Sequence, residues 1–175
     1  MRKYLFALLV IVAAGTTLLV AAFATAGAGQ NKVKADTLNG YQEGPAISSI
    51  GTGSFEASID EDAQTITYKL SYQDLEGGSP TQAHIHIGKR AENGGVSVFL
   101  CAGDKPACPP SGTVTGVIIP ANIVGPAVQG VEPGSFAELV RALRTGNTYV
   151  NVHNARWPGG EIRAQVNDFN QRETG

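Results

Sequence analysis

Three histidines carry the clearest capacity for chemistry in this chain: His84, His86 and His153, with no fourth elsewhere. His84 and His86 stand at i and i+2 in Gln82-Ala83-His84-Ile85-His86-Ile87, a period-2 run that puts both imidazoles on one face of a strand, roughly 6.5 to 7 Å apart at the backbone. His153 ends a second period-2 run, Tyr149-Val150-Asn151-Val152-His153. If the two strands lie side by side, three imidazole nitrogens can converge about 2.0 to 2.1 Å from one ion and leave a fourth position open. Neutral imidazoles suit Zn²⁺ or Cu²⁺, and the sequence does not separate the two. Three histidines are too few for a bridged two-metal centre. Asn151 and Glu161 are the candidates to orient a ring N–H from outside the ligand shell. The competing reading leaves the histidines as exposed or hydrogen-bonded strand residues, with Glu161 in a surface ion pair with Arg163 or Arg156.

Other chemistry is poorly supported. Ser79 and Ser97 lie near the His-x-His run but lack a nucleophile-elbow pattern. Nothing in the sequence brings Glu43 opposite Glu161, as a glycosidase pair requires. The acidic run Asp60-Glu61-Asp62 lacks the further oxygen ligands of a calcium loop and reads as a solvated turn. Tyr149 and Trp157 are candidates for a partner surface at the hairpin around Pro158-Gly159-Gly160, although a Trp there also serves to pack over a sheet end.

The histidines need strands to hold them. Phe55, Ala57 and Ile59 alternate with Ser54, Glu56 and Ser58, and Ile66, Tyr68, Leu70 and Tyr72 alternate with Thr65, Thr67, Lys69 and Ser71. Val96, Val98 and Leu100 resume the alternation, Thr113 to Ile119 is β-branched, and Ile162, Ala164 and Val166 continue the second His strand. Residues 36–47 form an edge strand closed by Pro45. One short helix is expected at about 135–145: Ser135 and Glu138 make a capping box, Phe136, Leu139, Val140 and Leu143 recur at helical spacing, and Gly146 stops it. The fold class is therefore all-β, a sandwich or barrel of about seven or more short antiparallel strands, each sheet with one buried and one exposed face.

The chain opens with Arg2 and Lys3 and an apolar run from Tyr4 to Ala24 followed by small residues. Residues 1–28 read as a secretory signal peptide, the alternative being an uncleaved N-terminal anchor and the only membrane contact expected. Residues 29–35 then form a tether, 36–167 the folded domain and 168–175 a flexible tail. Thirteen basic residues against 15 acidic ones, with no basic patch, argue against nucleic acid as a partner. Cys101 and Cys108, in a chain bound for an oxidising compartment, are expected to form a disulfide.

Several motifs, in order, carry a family resemblance. They are Leu38 with Gln42-Glu43-Gly44-Pro45, Ala83-His84-Ile85-His86 with Gly94-Gly95-Val96, Phe136-Ala137-Glu138-Leu139, and Gly146 to His153 with Pro158-Gly159-Gly160-Glu161-Ile162-Arg163. Over roughly residues 36–166 the chain resembles the CHRD domain, named after chordin and found in many secreted microbial proteins. The resemblance implies an extracellular, immunoglobulin-like β-sandwich and little about activity. The cysteine pair departs from the family pattern. The expected function is a secreted binding or structural module for an unidentified extracytoplasmic ligand or protein, with copper or zinc the candidate cofactor on the His84, His86, His153 face. The alternative is a mononuclear copper or zinc redox or hydrolytic enzyme on that face.

Overall fold

The computed structural model describes residues 31–168. The expected signal peptide and all but the first residue of the expected tail lie outside that range. Eight strands, β1 (Lys32–Asn39), β2 (Thr52–Asp60), β3 (Thr65–Gln73), β4 (Pro80–Ile87), β5 (Val96–Cys101), β6 (Gly112–Ile118), β7 (Thr148–Asn154) and β8 (Ile162–Asp168), surround one helix, α1 (Phe136–Arg144). All pair antiparallel in one sheet ordered β5-β4-β7-β8-β1-β2-β3-β6. The sheet curls until its edges β5 and β6 approach, giving a nearly closed barrel. The Tyr68 hydroxyl donates to the Leu100 carbonyl (2.7 Å) across that seam.

The alternating residues behave as their spacing demands. Phe55, Ala57, Ile59, Ile66, Tyr68, Leu70 and Tyr72 are buried and enclose the core with Ala83, Ile85, Val98, Val150, Val152 and Ile162. The α1 stripe, Phe136, Leu139, Val140 and Leu143, packs into the same core. Its start differs from expectation. The Ser135 side chain caps nothing; its backbone carbonyl receives Leu139 N (3.2 Å), and Glu138 pairs with Arg141 (2.8 Å) instead of reaching back.

Residues 32–35, expected within a tether, are the first half of β1, with Val33 and Ala35 buried beneath Lys32 and Lys34. Nor is β1 an edge: β8 and β2 flank it, and Pro45 lies well beyond its end. The Cys101–Cys108 disulfide is present and anchors the end of β5. Its closed loop spans a separation of only seven residues, so chain entropy predicts a loss of about 2 kcal/mol on replacing both cysteines with Ser. A urea midpoint unchanged between wild type and the double variant would count against that account.

The second correction concerns faces. Every residue of β7 is buried, as are His84 and His86 on β4 and Arg163 and Gln165 on β8. The outward face of these three strands is therefore a second, polar interior and not a solvated surface. Loop residues roof it, and β8 holds the roof down. Arg163 donates to the carbonyls of Lys89 (2.9 Å) and Glu92 (2.8 Å), and Gln165 Nε2 to those of Gly88 and Gly146 (both 2.7 Å). Buried polar groups persist because they are hydrogen-bonded, and here the roof's own carbonyls supply the partners.

Candidate metal centre

Register alone brings the three histidines together. On β4 and β7, His84 faces Asn151, His86 faces Tyr149 and Gln82 faces His153, so His153 is the diagonal neighbour of His84. One nitrogen from each ring lies within 4.8 Å of the others, and all three side chains are buried. His84 Nδ1 and His153 Nε2 are 3.1 Å apart. Phe99 of β5 meets the His84 ring edge-on at 4.5 Å.

Backbone carbonyls settle the tautomers. His86 Nδ1 donates to the Gly94 carbonyl (3.0 Å) and His153 Nδ1 to the Pro158 carbonyl (2.9 Å). A carbonyl only accepts, so each Nδ1 bears the proton and each Nε2 presents a lone pair. Burial disfavours the imidazolium forms. It pushes His84 down to about 3, with the neighbouring charges of His153 and His86 adding to the effect. The same cause takes His86 to about 4 against the pull of its Gly94 bond, and lowers His153 against its Pro158 bond. Among the described residues, Nε2 of His84 and of His86 are buried without a hydrogen-bond partner.

Asn151 touches the cluster, with Oδ1 2.9 Å from His153 Nε2. Glu161 does not orient a ring. It is fully buried on the far side of the hairpin, where its carboxylate accepts from Ser49, from Asn154 and from the Glu76 and Gly77 amides. It is therefore not a surface ion-pair partner, and its carboxylate shares no hydrogen-bond partner with that of Glu43, which meets Asn151 and the charge of Arg163. Tyr149 is no partner surface either. Its buried ring lies parallel to His86 (4.7 Å, 2°), and the Arg163 guanidinium sits 3.4 Å above its centroid. Trp157 remains half-open, beneath Arg156 (4.4 Å), on a cleft of about 210 Å³ shared with Glu43, Pro45 and Ile47.

Sequence reasoning did not foresee the part taken by Glu43, Gly160 and Arg163. Glu43 is buried, and desolvation lifts its pKa to about 7 against the pull of Arg163, Asn151 and the Gly44 amide. It rests on the bare Cα of Gly160, where a Cβ would overlap the carboxyl oxygen and crowd Asn151 Nδ2. Gly160 also holds φ +126°, so the Pro-Gly-Gly turn both bends the chain and makes room for a carboxyl group. The signal for this lay in the paired motifs Gln42-Glu43-Gly44-Pro45 and Pro158-Gly159-Gly160, which meet here although distant in sequence.

These features define an all-β domain built on one curled sheet, with a disulfide and a roofed polar layer bearing three convergent histidines. The family model for the CHRD domain matches residues 35–166, and the chain belongs to that family. No curated protein and no solved structure matches it. Among the described residues no helix is long and apolar enough to cross a membrane.

Proposed function

We propose that this CHRD domain is an extracytoplasmic binding module that holds one Zn²⁺ or Cu²⁺ ion through His84, His86 and His153. The observation that carries the reading is the tautomer pattern: two backbone carbonyls take the Nδ1 protons of His86 and His153 and leave their Nε2 atoms unprotonated, within a buried cluster where one nitrogen of each of the three rings lies within 4.8 Å of the others. Metal-ligating histidines usually have their outer ring nitrogen tied down by such a hydrogen bond, which leaves the inner one free to bind. The 3.1 Å separation of His84 Nδ1 and His153 Nε2 is also the edge that two donors about 2.0 to 2.1 Å from a common ion subtend at roughly tetrahedral to square angles. An apolar-strand role would not require buried nitrogens to lack partners. The disulfide and the apolar N-terminal run support secretion.

Dialysis of the purified domain against Zn²⁺ or Cu²⁺, then against buffer, should leave one ion per chain by elemental analysis. His84→Ala, His86→Ala and His153→Ala should each weaken retention at least tenfold, since even outer-shell losses cost that much. A metal-free wild type after this treatment would sink the reading.

A further inference from the structure

We propose that the centre is closed, a four-donor N₃O site in which the Asn151 side-chain oxygen is the fourth donor and Glu43, seated on Gly160, holds it in place. The inference rests on the metal-binding reading and decides what kind of site it is. Structural metal sites fill all four positions with protein atoms, whereas catalytic ones keep a position for water or substrate.

The amide orientation of Asn151 is fixed from behind. Its Nδ2 donates to the Gly159 carbonyl (3.2 Å) and to the Glu43 carboxyl, so Oδ1 must face the imidazoles. Oδ1 lies 2.9 Å from His153 Nε2, whose own proton position is already assigned to Nδ1 by Pro158. Two acceptors thus face each other at hydrogen-bond distance. A cation between the two donors would relieve that contact. His84 cannot fill the gap for both, because a proton on its Nδ1 directed at His153 leaves Asn151 Oδ1 still opposed to a lone pair. A separation of 2.9 Å is what two donors about 2.05 Å from one ion make at a right angle. Asn151, His84, His86 and His153 are all at least nine-tenths buried, which leaves little space for a coordinated water.

Glu43 enters as a positioning residue. Its carboxyl lies against Asn151 Nδ2, and Gly160, having no Cβ, leaves room for the two groups side by side. With the amide turned by this pair, the site would hold its ion without turning anything over.

Cobalt(II) reads coordination number directly. The Co²⁺-loaded wild type should show the intense visible absorption of a four-coordinate ion, unmoved by excess azide. Asn151→Ala should open a position, so that azide shifts the spectrum and affinity falls about tenfold, while Asn151→Asp, which keeps an oxygen in place, should remain azide-insensitive. Glu43→Ala, which removes the acceptor behind Asn151, should make the spectrum azide-sensitive by releasing the amide. A wild-type spectrum that moves with azide overturns the closed site, even if a variant fails to fold. An Asn151→Ala spectrum identical to wild type overturns it as well. A wild type that binds no Co²⁺ defeats the metal reading itself and this inference with it, an outcome distinct from the other two.

Discussion

Acidifying the metal-free domain from pH 6.5 to 4.5 is expected to lower its unfolding free energy by at least about 2 kcal/mol, and to lower that of Glu43→Gln by at least about 4 kcal/mol. The histidines set the direction. Burial holds His84 at about 3 and His86 at about 4, below the ordinary 6.5, so between those limits the unfolded chain binds protons that the native one refuses. Stability from these groups is complete above pH 6.5 and is lost as pH falls. Over two pH units each contributes about 2 kcal/mol at 1.36 kcal/mol per unit, and His153, shifted the same way, adds to the loss. Glu43 acts in the opposite sense. Its folded pKa, about 7, stands above the ordinary 4.5, so the native state binds the extra proton between those values and gains about 2 kcal/mol as pH falls through the window. The histidines prevail because they outnumber the carboxyl. Urea unfolding at half-unit pH steps after chelator treatment separates the contributions, since only the variant lacks the Glu43 offset. A wild type whose stability rises on acidification would contradict the buried, neutral state of the triad, and parallel curves for the two proteins would contradict the buried carboxyl.

What the sequence made legible follows how local each signal is. The pairs β2–β3 and β7–β8 were readable because a period of two survives in Phe55 to Ile59, Ile66 to Tyr72 and Ile162 to Val166, and the α1 stripe survives in four residues. The histidine triad was readable because the residue type is scarce and its two carriers alternate cleanly. Val33 and Ala35 show the same alternation, but two apolar positions between lysines are too short a run to claim a strand, and only pairing with both β2 and β8 makes them interior. The burial of both faces of β7 had no local sign at all. It is produced chiefly by the aperiodic loop at residues 88–95, whose backbone carbonyls accept from Arg163 and Gln165. For the same reason neither expectation for Glu161, a ring-orienting carboxylate or a surface ion-pair acid, anticipates its setting: apart from Asn154, its partners lie 112 and about 85 positions away, where no spacing rule reaches. Glu43 and Gly160 form a similar long-range pair, in which the glycine matters for the side chain it admits as much as for the turn it makes.

Replacing Glu161 with Ala should destabilise the domain by about 3 to 5 kcal/mol, more than loss of the disulfide, although Glu161 touches neither the apolar core's centre nor the histidines. Both carboxylate oxygens are fully committed. Oε1 accepts from Ser49 Oγ (2.5 Å) and Glu76 N (2.6 Å), and Oε2 from Gly77 N (3.0 Å) and Asn154 Nδ2. The two amides belong to the turn that leads into β4, and Asn154 ends β7, so one side chain ties the approach to His84 and His86 to the strand carrying His153. Truncation would leave two part-buried backbone donors without their carboxylate, each costing about 1 to 3 kcal/mol, and would open a void where the carboxylate stood. Ser49 and Asn154 can turn to other partners, which is why the total falls below the sum of four bonds. Glu161→Gln keeps the volume yet should recover less than half of the loss, because one of its two ends becomes an NH₂ facing donors. The comparison distinguishes a hydrogen-bond hub from simple packing: near-wild-type stability in Glu161→Gln would show that shape alone is needed. Hydrogen exchange at the Glu76 and Gly77 amides gives the local counterpart, with protection expected in wild type and lost in both variants. Since the same tie sets the approach of β4 to β7, metal affinity should fall in Glu161→Ala even under conditions where the variant remains folded.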